Sequence, residues 1–326
     1  MKLGIIGGGA WGTALAQVAS AGGRETLLWA MEPEVVEAVN ARRKNPIFLA
    51  GVPLNDSIRA TSDLVSLDDC EALLVVTPAQ HMRAVLEQLP RCDKPLVLCA
   101  KGIEERTGQL LDEVARKACP NASIAMLSGP TFAHEVAKGL PTAVTLAAED
   151  LDLAERLRER IARPTFRIYV SDDVAGAEIG GAVKNVLAIA CGVVEGKGLG
   201  QNARAALIAR GFAEMRRFGL ACGAKAETLA GLSGLGDLVL TCSSTSSRNY
   251  SLGIGIGEGR SAEELLSNRK TVAEGAFTAP VLARVSREKG IDMPIVNAVD
   301  ALIAGRAKVE TVLDELLSRP PKAEAV

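Results

Sequence analysis

The 326-residue sequence predicts an α/β domain with a mostly parallel sheet, followed by an all-α domain, and three observations carry that prediction. Short aliphatic runs alternate with amphipathic stretches through the first half of the chain, the texture of strand-helix units. A glycine-rich turn joins the first run to the first helical stretch. Beyond residue 172 the strand-like runs stop and a helical period takes over.

The expected strands are Leu3 to Ile6, Thr26 to Trp29, Ala72 to Val76, Leu96 to Cys99 and Ile124 to Leu127, with helical patterns at 11–22, 34–43, 79–89 and 108–117. Thr142 to Ala147 and Thr165 to Val170 read as two further strands around a charged helix, Leu151 to Ile161. These boundaries divide the chain into a dinucleotide-binding domain at 1–172, a helical substrate domain at 173–318 and a loose polar tail at 319–326.

Composition removes several functions. Lys+Arg number 37 against 39 Asp+Glu, a net charge of −2, which gives no bulk attraction to nucleic acid or anionic membranes. No uninterrupted apolar run approaches the roughly 18 residues of a membrane span. Met1 leads directly into a strand, leaving no room for a signal peptide, and the seven cysteines lack a Cys-x-x-Cys pair. Reduced core thiols in a cytoplasmic protein are therefore expected. The two histidines, His81 and His134, lie in no metal or triad pattern, so a lysine or carboxylate is expected to move any proton.

Gly7, Gly9 and Gly12 form a G-x-G-x-x-G directly after the first strand and at the opening of a helix. That context suits a dinucleotide pyrophosphate: Gly7 turns the chain, Gly9 admits the phosphate and Gly12 packs helix on strand. A glycine turn without a ligand is the alternative. Glu32 lies twenty residues past Gly12, where a carboxylate accepts from a ribose 2′-hydroxyl, so NAD is preferred over NADP. Glu32 followed by Pro33 also reads as a plain helix start.

Lys184 stands out among the polar residues. From Ala177 to Val194 the polar side chains are Glu178, Lys184 and Asn185, and no acid lies one helical turn from the lysine. Its partner must come from elsewhere, because a buried ammonium is costly unpaired. A catalytic lysine and a snorkelling one are the two readings. Asp237 sits in an apolar run that ends at Thr241 and asks for a cation. Ser247, Arg248 and Asn249 suit a phosphate dianion or, more plainly, a capped helix. Lys101 is the cation among the expected strand-end loops, either facing a crevice or solvated. Arg210, Glu214 and Arg217 read as a surface ion-pair ladder, and the Gly253 to Gly259 run, which lacks a preceding strand and does not repeat the nucleotide fingerprint, reads as structural.

Taken in order, these segments resemble the bacterial-type NAD(P)-dependent glycerol-3-phosphate dehydrogenases, from residue 1 to about 317. The resemblance rests on Gly7 to Ala14, Cys99 to Gly102, Ser128 to Ala133, Gly180 to Asn185, Gly234 to Cys242, Ser247 to Asn249 and Val272 to Gly275. It implies a Rossmann-type domain, a helical substrate domain and an active site between them. It also implies reversible hydride transfer between NAD(P)H and dihydroxyacetone phosphate, giving sn-glycerol 3-phosphate for glycerophospholipid synthesis, with no metal and as a homodimer.

Lys184 takes the role of proton acceptor by this resemblance, supported by Asp237, Thr241 and Asn185, with Lys101 stabilising charge. Substrate contacts map to Lys101, Gly129, Thr131, Lys184, Asn185, Asp237, Ser247, Arg248 and Asn249. Coenzyme contacts map to Ala10, Trp11, Met31, Lys101, Ala133, Arg248, Val272 and Glu274. Phe48 stands where the family often has Tyr, and Met31 and Glu32 stand where it often has cations, which disfavours NADP. A related 3-hydroxyacid or ketoacid dehydrogenase and a non-catalytic coenzyme-binding regulator are the competing functions.

Overall fold

The computed structural model describes residues 2–267 and 273–320. One eight-stranded sheet runs through the first half: β1 Leu3–Ile6, β2 Thr26–Trp29, β3 Ile58–Thr61, β4 Ala72–Val75, β5 Leu96–Leu98, β6 Ile124–Ser128, β7 Thr142–Ala148 and β8 Phe166–Ser171. Its order is β3-β2-β1-β4-β5-β6-β7-β8, parallel through β6; β7 then runs antiparallel to β6, and β8 parallel to β7. The strand order reverses at β1, which pairs with both β2 and β4. The glycine turn therefore leaves the sheet at its switch point, where open α/β sheets bind ligands.

Helices cover both faces of this sheet, as buried parallel strands require. They are α1 Ala10–Ala19, α2 Pro33–Arg42, α3 Met82–Leu86, α4 Leu111–Ala118, α5 Ala133–Ala137 and α6 Leu151–Ile161. One apolar core joins α1, α5 and α6 to the sheet, and a second joins α3 and α4 to its other face. The expected strands and helices recur with small shifts in their ends. β3 was absent from the expectation because its four residues, with exposed Arg59 in the middle, have no apolar run.

The described chain beyond Ser171 contains helices and no strand: α7 Val174–Gly196, α8 Gly200–Ala221, α9 Ala226–Ala230, α10 Asp237–Thr241, α11 Arg248–Gly257, α12 Ala262–Ser267, α13 Glu274–Glu288, α14 Pro294–Ile303 and α15 Val309–Leu317. At its centre is α7, buried at nearly every position and capped at its start by Asp173, whose Oδ1 accepts from the Gly176 N–H. By length and composition alone this helix is apolar enough to cross a membrane. Its apolar window is nevertheless completely covered by the other elements, as in a core helix.

Two expectations need correction, while the glycine run from Gly253, expected to be structural, packs two helices: a Cβ on Gly253 would sit 2.0 Å from the Ile189 carbonyl oxygen, and one on Gly192 would sit 2.1 Å from that of Tyr250. Gly192 and Gly196 of α7 thus cross Gly253 and Gly257 of α11 backbone to backbone. Glu214 is no member of a surface ladder, because it is buried and takes the N–H groups of Ile295 and Val296 at the start of α14. Burial, partly offset by those two bonds, raises its carboxyl to about 7. Finally, Cys92 and Cys119 form a disulfide, with Cα atoms 5.1 Å apart, where reduced thiols were expected. Folding brings the segment before β5 against the end of α4, a proximity that 27 residues of separation conceal.

Candidate active site

The glycine turn is shaped by close contacts on every side but one. Gly7 has φ +124°, and a Cβ there would approach the Val76 carbonyl oxygen to 2.9 Å; a Cβ on Gly12 would reach the Gly7 carbonyl oxygen at 1.8 Å. Gly9, by contrast, has nothing within 4 Å of that position and no side chain capping α1. The first N–H groups of α1 are thus capped by no side chain, and the space beside Gly9 is unfilled, which fits a pyrophosphate. Asn45 holds the turn from behind: its amide donates to the Gly8 carbonyl and Thr13 Oγ1, both at 2.8 Å, while its oxygen accepts from the Phe48 N–H. This buried residue was not singled out in the sequence, although it ties the Phe48 loop to the fingerprint.

Ala10, Trp11, Phe48 and Ala133 pack, half-buried, along the same core as α1. Glu32 is the N-cap residue of α2 yet makes no capping bond through its side chain, which leaves the carboxylate available to a ribose. Its neighbour Met31 is 72% exposed at the end of β2. Val272 lies outside the described residues.

A second centre forms where Lys101, β6, α7 and α10 meet. Asp237 is completely buried. One of its oxygens accepts from Lys184 Nζ at 2.7 Å, and the other accepts from Lys101 Nζ at 2.6 Å. Lys184 also donates to Thr241 Oγ1 at 2.7 Å, and that hydroxyl donates to the same carboxylate at 3.2 Å. Lys101 further donates to the Gly129 carbonyl. The partner that α7 lacks for Lys184 is therefore Asp237, and the lysine is buried, not snorkelling.

Glycines let these elements close. A Cβ on Gly180, one turn before Lys184, would lie 2.5 Å from the Ser233 carbonyl oxygen and 2.8 Å from Gly234 Cα. Ser233 and Gly234 belong to a π turn, Leu232–Gly236, that leads into α10. Such turns re-aim the side chains that follow them. Here the wide turn, pressed onto α7, presents Asp237 to Lys184. Gly129, at φ +152°, abuts Val144 and carries Thr131 two residues on, whose hydroxyl donates to the Gly129 carbonyl.

Burial lowers the Lys184 ammonium to about 8; Asp237 opposes that shift and the charge of Lys101 adds to it. Two ammonium groups on one carboxylate leave one net positive charge in a buried place. That arrangement can exchange a proton near neutral pH and stabilise an oxygen that becomes negative.

The segment after α10 provides a separate cation. Ser247 caps α11, its Oγ accepting from the Tyr250 N–H, and Arg248 is exposed on the first turn. Asn249 is engaged on both ends: its Nδ2 donates to Asn185 Oδ1 at 3.0 Å, and its Oδ1 accepts from the Gly275 N–H at 2.9 Å. Asn185 therefore ties α7 to α11, in place of the expected direct support for Lys184. Glu274 begins α13, where it interacts electrostatically with Arg248 and meets the Ala79 N–H. Burial raises its carboxyl to about 7, and its Oε2 has no hydrogen-bond partner. Among the described residues no group of acidic, Cys and His side chains is arranged to hold a metal.

Comparison with known proteins agrees with this geometry. Residues 2–154 match the N-terminal part of the NAD-dependent glycerol-3-phosphate dehydrogenases, and residues 173–314 match their C-terminal part. Proteins named glycerol-3-phosphate dehydrogenase (NAD(P)+) from Erythrobacter litoralis and Novosphingobium aromaticivorans are each 64% identical, over 99% of this chain and 98% of theirs. The crystal structure of glycerol-3-phosphate dehydrogenase from Coxiella burnetii superposes with a TM-score of 0.93 at 36% identity, covering 98% of this chain and 99% of that one. With both halves of the family model matched and with relatives 64% identical over nearly the whole chain, the chain belongs to the NAD(P)-dependent glycerol-3-phosphate dehydrogenase family.

Proposed function

We propose that the chain interconverts dihydroxyacetone phosphate and sn-glycerol 3-phosphate with NAD(P)(H), and that Lys184 is the proton carrier. The single observation that carries this reading is Asp237 joined to Lys184 and Lys101 at once. When bound, the coenzyme supplies or accepts the hydride at the substrate's C2 carbon. In reduction, Lys184 gives its proton to the C2 oxygen while Lys101 stabilises the developing negative charge. Asp237 and Thr241 hold Lys184 in place. Arg248, with Ser247 and Asn249, takes the phosphate, and Gly129 and Thr131 border the substrate. Binding energy at the phosphate then positions the carbonyl at the lysines.

Gly7, Gly9, Ala10, Trp11, Gly12, Met31, Glu32, Phe48, Ala133 and Glu274 form the coenzyme's side of the crevice in this reading, and the unengaged Glu32 carboxylate favours NAD. Residues 1–172 form the dinucleotide-binding domain and 173–318 the helical substrate domain in this reading, and each lends residues to the other's ligand. A cytoplasmic homodimer feeding glycerophospholipid synthesis completes the proposal. A ketoacid dehydrogenase has no use for the Arg248 anion site, and a regulator has none for two lysines on one carboxylate.

Lys184→Ala is expected to lower kcat by roughly 10²- to 10⁴-fold while NADH binding persists; near-normal turnover would remove Lys184 from its role. Because reduction needs this lysine protonated, kcat/KM for dihydroxyacetone phosphate should fall as pH rises through about 8, while that for glycerol 3-phosphate oxidation rises through the same value. Arg248→Ala should raise KM for dihydroxyacetone phosphate by about 10- to 100-fold, the scale of lost charge-assisted bonds, and spare phosphate-free dihydroxyacetone. Equal losses on both ketones would place the phosphate elsewhere. Finally, kcat/KM should be higher with NADH than with NADPH, and Glu32→Ala should narrow the gap; an intrinsic NADPH preference would contradict the assignment of Glu32.

A further inference from the structure

Ser128 is the last residue of β6 and is 2% exposed, yet its hydroxyl has no hydrogen-bond partner. A buried hydroxyl left unpaired opposes folding, so its retention needs a reason. Its position supplies one. The strand end points into the crevice region of the sheet, and the carbonyl of the next residue, Gly129, accepts from Lys101. A Cβ on Gly181 would lie 3.0 Å from Ser128 Oγ and 3.2 Å from Lys101 Cγ. Ser128 Oγ and the Lys101 stem therefore pack side by side against α7 at a glycine three residues before Lys184, which places the unpaired hydroxyl next to the lysine of this centre.

The other polar groups of this centre are engaged. Lys184 is bonded to Asp237 and Thr241, Lys101 to Asp237 and the Gly129 carbonyl, and Thr241 to Asp237. Two further buried hydroxyls are unpaired, but Thr77 adjoins the glycine turn and Ser233 lies within the π turn. The proposed substrate has three polar ends. The C2 oxygen goes to the lysines and the phosphate to Arg248, which leaves the free terminal hydroxyl to be desolvated in the crevice. A hydroxyl partner, able both to donate and to accept, suits it.

We propose that Ser128 is a specificity-determining residue that hydrogen-bonds the unphosphorylated terminal hydroxyl of the substrate, an inference that rests on the functional reading above. The test compares dihydroxyacetone phosphate with acetonyl phosphate, which has a methyl group in place of the hydroxymethyl and so lacks that hydroxyl. In the parent chain kcat/KM should favour dihydroxyacetone phosphate. Ser128→Ala should lower kcat/KM for dihydroxyacetone phosphate by at least about tenfold, leave that for acetonyl phosphate within about twofold, and not change NADH affinity. Ser128→Thr, which keeps the hydroxyl, should retain part of the discrimination, and both variants are checked for native thermal unfolding. An unchanged ratio between the two substrates, or an equal loss on both, overturns the role of Ser128. Failure of the parent chain to reduce dihydroxyacetone phosphate would instead overturn the functional reading itself. Should Ser128→Ala fail to fold, the parent's ratio and that of Ser128→Thr decide the question: no preference for the hydroxylated substrate in either overturns the proposal.

Discussion

A carboxylate with no solvent exposure holds two ammonium groups, and the arrangement of the helical half follows from satisfying it. Asp237 accepts from Lys184 on one oxygen and from Lys101 on the other. Desolvating one carboxylate and one ammonium costs several kcal/mol per ion, which attraction offsets only when geometry and hydrogen bonding are good. The second lysine and the Thr241 hydroxyl supply the remaining bonds. Because the count of charges is unequal, the centre stays positive, and burial lowers the Lys184 ammonium toward neutrality.

Close backbone approach is what makes this geometry possible. Gly180 admits the π turn that aims Asp237, Gly181 leaves room for Lys101 and Ser128, and the Gly192 and Gly196 crossing with Gly253 and Gly257 sets α11 against α7. Asn249 then locks α11 to α7 and α13 through Asn185 and Gly275. Arg248 and Glu274 are delivered by these same helices. A small set of contacts without side chains thus relates the lysine-carboxylate centre proposed to carry the proton to the cation proposed for phosphate. On the sheet side, Gly7, Gly12 and buried Asn45 perform the equivalent task for the nucleotide turn.

Much of this was legible in the sequence, for physical reasons that particular residues illustrate. A lone lysine on an otherwise apolar helix announces a distant partner, and Asp237 in its own apolar run announces the complement. Short aliphatic runs alternating with helical stretches reveal most of the sheet, including the strands around Leu151 to Ile161, and their disappearance marks the switch to helices after residue 172. Short edge strand β3 escaped because Arg59 breaks its pattern. Glu214 was misread because i, i+4 spacing reports neighbours on one helix and says nothing of a second helix whose N–H groups need an acceptor. Asn45 and the Cys92–Cys119 pair were invisible for the same reason, since only the fold brings their partners near, and Ser128, legible as part of a strand end, gave no sign that the fold would leave its hydroxyl unpaired.

Asp237 raises the proton affinity of Lys184 against burial, and the pH dependence of glycerol 3-phosphate oxidation by Asp237→Asn reads that control out. Asp237 opposes the lowering caused by burial and by Lys101. Loss of its charge should therefore move the midpoint of kcat/KM to lower pH than in the parent chain, along with a reduced maximal rate. A midpoint that stays where it is in the parent, or moves to higher pH, would contradict the account.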